Sequence, residues 1–164
     1  MRASILPAPR TALHSVHNID QRVALIREQI IKSMDGRPPD GTPLLYLARD
    51  IVKDCRPRDD ACEINAVFQW VKKNIRYVLD PVDRDTFSTA ERTIESGGGD
   101  CDDHLVVLAV LLAQIGFSTG ASVVAEADPD WSHIYSLVAV PKEAPTKAVA
   151  LDTTYAAPAG IADV

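Results

Sequence analysis

The chain has 164 residues, enough for one domain of ordinary size, and at 46% hydrophobic it can bury a real core. A net charge of −6 and few aromatics argue against a nucleic-acid binder, which needs a basic face and stacking surfaces. No apolar run reaches the roughly 18 to 20 residues that span a bilayer, and the best candidate, Leu105 to Ile115, reads as a core helix.

Residues 1–18 are weakly patterned, and their apolar pair Ile5–Leu6 is followed by Pro7 and Pro9. This predicts an extended N-terminal arm without the continuous apolar segment of a signal peptide. From residue 19 to 164 a single domain is expected. "DQRVALIREQIIKSMDG" places Val23, Ile26, Ile30 and Met34 at helical spacing, with Asp20 as N-cap and Gly36 as stop. "PLLYLARDIVKDC" repeats the period and ends before Pro57, which forbids continuation. In "DDACEINAVFQWVKKNIRYV" Ile64, Val67, Phe68, Val71 and Ile75 share one helical face, with Trp70 on its flank.

A long connection follows, with one short helix capped by Ser88 or Thr89. A helix then opens at Cys101 and ends near Gly116. Beyond it the period changes to two: "STGASVVAEA", "SHIYSLVAV" and "KAVALDTTY" predict three short antiparallel strands, separated by "DPDW" and "PKEAPT". Helices first and strands last is an α+β arrangement.

The cysteines, Cys55, Cys62 and Cys101, are odd in number and fit no zinc-knuckle spacing. Free thiols in a reducing, cytoplasmic setting are expected. A Cys55–Cys62 disulfide is the alternative for a protein working outside the cell.

Cys101 stands where "GGGD" becomes a helix. The first turn offers unpaired N–H groups and the positive end of the helix dipole, both of which favour thiolate and can hold an oxyanion. Gly97 to Gly99 would let a substrate backbone approach. His133 lies on an alternating strand, with Ile134, Ser136 and Val138 facing one way and His133, Tyr135 and Leu137 the other. Asp152 ends the next strand, and adjacent antiparallel strands can bring the two side chains together. Thiol, imidazole and carboxylate are the nucleophile, base and orienting group of a catalytic triad. Read without this triad, Cys101 packs beneath a core helix, His133 is a half-buried packing residue and Asp152 forms a turn.

The ordered set "GGGDCDDHLVVLAVLLAQIG", "WSHIYSLV" and "ALDTTY", with "FQWVKKNIRYVLDPVDRDTFSTAERTI" upstream, resembles the transglutaminase-like superfamily of papain-like thiol enzymes. The similarity runs from about Phe68 to Tyr155, a little over half the chain. It implies Cys101 as nucleophile, His133 as general base and later acid, and Asp152 as the group orienting the imidazole. It implies a structural or helix-start role for Asp103, and His104 is not assigned as base. The stretch "GFSTGASVV" lacks the arginine common after the family's nucleophile helix. No side-chain oxyanion donor is assigned, Gln69 and Trp70 being the candidates.

The resulting expectation is a thiol-dependent acyl-transfer enzyme acting on a protein or peptide, as cysteine protease, amidase or transglutaminase, with no cofactor, nucleic acid or membrane. A second reading is a non-enzymatic docking module on the same fold. Similar small proteins resemble ones in phage genomes, which would put the chain in the host cytoplasm or a virion, with the arm gripping an assembly partner. A third is a metal site built from Asp100, Asp102, Asp103, His104 and Cys101; three consecutive helical residues fan out around the axis, which argues against all of them converging.

Overall fold

In the computed structural model, which describes residues 11–13, 19–38, 40–81, 85–125 and 132–154, everything is arranged around one helix. Asp100 caps it, its carboxylate accepting the N–H groups of Asp102 and Asp103 at 3.2 and 3.4 Å. Every residue from Asp102 to Leu112 is buried. A helix that is apolar all round must sit in the interior, and here four helices and a sheet cover it.

In chain order the elements are β1 (Thr11–Leu13), α1 (Ile19–Ser33), α2 (Leu44–Ile51), α3 (Asp60–Asn74), β2 (Arg76–Tyr77), β3 (Asp85–Phe87), α4 (Ala90–Ser96), β4 (Gly98–Gly99), α5 (Cys101–Gln114), β5 (Thr119–Ala125), β6 (Ser132–Val140) and β7 (Lys147–Leu151). Helices α1 to α4 pack on α5, and β6 packs on its other side. The sheet is antiparallel in the order β5-β6-β7. The α+β class and the three late strands are as the periodicity predicts. On β6 the alternation holds: Ile134, Ser136 and Val138 are buried, while Tyr135 and Leu137 are partly exposed.

On α3, Ile64, Val67, Phe68 and Val71 form the buried face, and Asp59 caps its start by accepting the Cys62 N–H at 3.0 Å. Helix α1 departs from expectation. It begins at Ile19, so Asp20 lies inside the first turn rather than capping it, and Val23 and Met34 are exposed. Its inner face keeps Ile26 as expected and adds polar residues: Ser33 Oγ donates to the Gln29 carbonyl at 2.6 Å and accepts the Ala90 N–H at 2.8 Å, tying α1 to α4. Thr89 is the N-cap residue of α4, without a side-chain capping bond.

Two short ladders were not foreseen. β1 pairs antiparallel with β3, and β2 pairs parallel with β4. Two- and three-residue strands carry no usable periodicity. Most of the predicted arm, and the "DPDW" turn, lie outside the described residues.

The expectation of three free thiols is corrected. Cys55 and Cys62 form a disulfide, their Cα atoms 5.7 Å apart where the end of α2 turns into α3, and Cys101 is free. The cytoplasmic reading drew its support from free thiols, and cystines persist in oxidising compartments. No helix among the described residues is long and apolar enough to cross a membrane.

The hairpin joining β6 and β7 is fastened to α3. Lys142 N–H donates to Asp60 at 2.7 Å, its ammonium pairs with Glu63, and it lies 4.4 Å over the Phe117 ring. The strands that carry His133 and Asp152 are thereby held against the helical layer.

Candidate active site

Cys101 opens α5 and is partly buried. The backbone of Ile134, the residue after His133, favours the thiolate form. The thiol shares a small cleft with His104, Ile134, Tyr135, Asp152 and Thr153. The helix start is thus set against the first half of β6 and the end of β7.

Ring nitrogen Nε2 of the buried His133 lies 2.6 Å from Oδ2 of Asp152. The pair is diagonal across the sheet. The ladder between β6 and β7 ends with Ser136 opposite Leu151, so Asp152 stands one residue beyond the last paired position. Its other oxygen, Oδ1, accepts both the N–H and the hydroxyl of Thr154, at 3.0 and 2.6 Å. That turn aims Oδ2 at the imidazole.

The acids around the thiol are more consequential than a helix-dipole argument suggests. Asp100, Asp102 and Asp103 each bring a carboxylate oxygen within 4.8 Å of the others. These three converge because Asp100 precedes the helix and folds back as its cap, while the five proposed ligands do not all meet, as the helical fan predicts. His104 is outside this group. Burial first, then the neighbouring Asp100, pushes the Asp102 carboxyl well above the carboxylate range; burial also raises Asp100. The closeness of the two carboxyls suits one shared proton.

Burial, then Asp100 and Asp102, push the Cys101 thiol up to about 12. The sequence predicts that this helix start favours the thiolate, and burial with the flanking acids works in the opposite direction. Two features oppose the rise, the Ile134 backbone and the charge of Arg22. Arg22 comes from α1 and is held by Asp85 at 2.9 Å.

Asp103 is engaged by the neighbouring loop, its Oδ1 accepting the Ser88 N–H at 3.0 Å. This fits the structural role expected of it. The glycines serve that packing rather than an open approach for substrate. Gly98 and Gly99 are buried in the pairing with β2, and a Cβ on Gly99 would sit 2.4 Å from the Asp103 Cβ. Gly97 ends α4 in the left-handed region at φ 65°.

His104, one turn after Cys101, is buried, with Nδ1 2.7 Å from Thr153 Oγ1 and its ring edge-to-face with Tyr77 at 6.1 Å. Burial lowers its pKa, against opposing effects of the Arg76 carbonyl and the Asp152 charge, so the ring is neutral. Gln69 is exposed on α3, and neither Gln69 nor Trp70 lines the cleft. Sequence reasoning gave no role to Thr153, Thr154 or the Ile134 backbone. The threonine pair after Asp152 was the visible signal for two of them.

Comparison with known proteins gives a consistent picture. The family model described as "Transglutaminase-like superfamily" matches residues 46–145. Among curated proteins none matches significantly. Among solved structures, a candidate cysteine protease from Cytophaga hutchinsonii superposes with a TM-score of 0.54 at 16% identity, over 76% of this chain and 42% of that one. The likeness is one of fold, and the present chain spans less than half the length of that relative.

Proposed function

This chain belongs to the transglutaminase-like superfamily, and from that premise we propose that it is a thiol-dependent acyl-transfer enzyme working through Cys101, His133 and Asp152. The observation that carries the proposal is the 2.6 Å His133–Asp152 pair, whose carboxylate lines the same cleft as the Cys101 thiol.

With its Nε2 held by Asp152, His133 uses Nδ1 toward the thiol. Because the resting thiol is raised to about 12, the proton moves to His133 as the sulfur attacks, rather than beforehand. The S–C bond forms at an amide carbonyl, and the backbone N–H groups at the start of α5 receive the oxyanion. His133 then gives its proton to the departing amine as the C–N bond breaks. Water resolves the thioester to an acid, or an amine resolves it to a new amide. The first outcome is proteolysis or deamidation, the second transamidation. The substrate class is a protein or peptide carboxamide.

The test is covalent capture by an epoxysuccinyl peptide, with the adduct located by mass spectrometry. Labelling should fall on Cys101 and drop at least about 100-fold in His133→Ala. Equal labelling of the wild type and that variant would sink the proposal.

A second reading, a docking module without catalysis, is favoured by one observation. A thiol raised this far by burial and acids resembles an inert structural cysteine. The same labelling experiment separates the two.

A further inference from the structure

We propose that His104 is a positioning residue which, through its hydrogen bond to Thr153, holds Asp152 in register with Cys101. The inference rests on the acyl-transfer reading for its functional meaning, and on geometry for its existence.

Asp152 has no ladder partner, since the β6–β7 pairing stops at Leu151. In the sheet it is held by the side chain of His133 and not by a backbone ladder. Two further contacts place it. Thr154 holds Oδ1 from within the same turn, which sets the direction of the carboxylate but moves with it. Thr153 is different. Its hydroxyl lies 2.7 Å from His104 Nδ1, and His104 is on the helix that carries the thiol.

Residues three apart on a helix share a face, so His104 lies beside Cys101 and lines the same cleft. The bond is thus a direct link between the nucleophile's helix and the residue next to the orienting carboxylate. Both ends are shielded: His104 is 2% exposed and Thr153 6%. A buried hydroxyl and a buried ring nitrogen that lose each other have no water to turn to.

The protonation state fits this role. Burial keeps His104 neutral, leaving one ring nitrogen able to accept. In the neutral tautomer that carries its proton on Nε2, Nδ1 accepts from the Thr153 hydroxyl. A charged His104 would instead compete with His133 for Asp152, whose charge it feels.

Four variants of the full chain test the clamp: Thr153→Val, which keeps shape and loses the hydroxyl; Thr153→Ser, which keeps it; His104→Leu; and His104→Asn, whose amide oxygen can take the place of Nδ1. Two readouts are made on each, the downfield proton NMR signal of the His133–Asp152 bond and the labelling rate of Cys101. The signal should be present in the wild type, Thr153→Ser and His104→Asn, and lost in Thr153→Val and His104→Leu. Labelling should fall about tenfold or more in Thr153→Val and stay within about twofold in Thr153→Ser.

Retention of signal and rate in Thr153→Val overturns the clamp. Loss in both Thr153→Val and Thr153→Ser also overturns it, since packing rather than the hydroxyl would then matter. A signal absent from the wild type does the same. The two proposals fail separately. Signal loss in Thr153→Val beside an unlabelled wild type leaves the clamp standing and removes the acyl-transfer reading. A labelled wild type with an unchanged Thr153→Val does the reverse.

Discussion

His133 Nε2 stands 2.6 Å from Asp152 Oδ2, with the partner oxygen of Asp152 occupied by Thr154. The carboxylate is therefore aimed, not merely near. Asp152→Asn would present an amide where an acceptor is needed and would favour the wrong imidazole tautomer. Capture of Cys101 by an epoxysuccinyl peptide should fall by at least about 100-fold with the melting temperature little changed. A variant that labels at the wild-type rate would remove Asp152 from the machinery.

The resting thiol gives a second measurement. Iodoacetamide is small and neutral and reports thiolate population. An ordinary cysteine titrates near 9.0, whereas burial and the flanking acids hold Cys101 up to about 12. The alkylation rate in the native protein should keep rising through pH 10, while the denatured chain levels off near the ordinary value. A native profile that levels below pH 8 would show a preformed thiolate and refute the proton-transfer order given above.

The paired acids predict a pH-dependent stability. Asp100 and Asp102 are both raised above the ordinary 3.8. Above that value the folded state holds more protons than the unfolded one, so stability falls as pH rises through the window between 3.8 and the raised values. Asp102→Asn removes a buried charge yet keeps a hydrogen-bonding side chain. It should raise the melting temperature at pH 8 by about 2 to 4 °C, for about 1 kcal/mol, with the gain shrinking toward pH 4. A variant that melts lower than wild type at pH 8 would contradict this.

The disulfide is checked by counting thiols. Denatured, unreduced protein should titrate one thiol, and reduced protein three, following the Cys55–Cys62 bond. Closing so short a loop contributes about 2 kcal/mol, so the double variant Cys55→Ser, Cys62→Ser should melt several degrees lower. Three thiols without reductant would restore the free-thiol reading.

Gly99 has no room for a side chain, because its Cβ would lie 2.4 Å from that of Asp103. Gly99→Ala should displace Asp103 from the Ser88 N–H and lower stability by about 1 to 3 kcal/mol, read from urea unfolding. An unchanged midpoint would mean that the β4 segment yields more easily than its burial implies.

The sequence by itself determined the element types and the chemical candidates. Leu105 to Leu112 is apolar all round, which makes an interior helix, and "SHIYSLVAV" alternates, which makes a half-buried strand. Both patterns are local, and local periods of 3.6 and 2 survive folding unchanged. The order Cys101, His133, Asp152 was legible for the same reason.

Tertiary structure decided the rest, because the remaining quantities depend on distances between segments far apart in the chain. Whether Asp100, Asp102 and Asp103 fan out or converge turned on the cap that folds Asp100 back over the helix start. Whether Cys101 sits as a ready thiolate turned on burial, which together with Asp100 and Asp102 pushes the thiol up. Cys55 and Cys62 were ambiguous until the turn between α2 and α3 set their separation. His104, which the pattern left without a role, gained one only where α5 met the end of β7 and Thr153 came within 2.7 Å. A residue's identity is written in the chain, but electrostatic and hydrogen-bond energies depend on separation and dielectric, which only the packed molecule supplies.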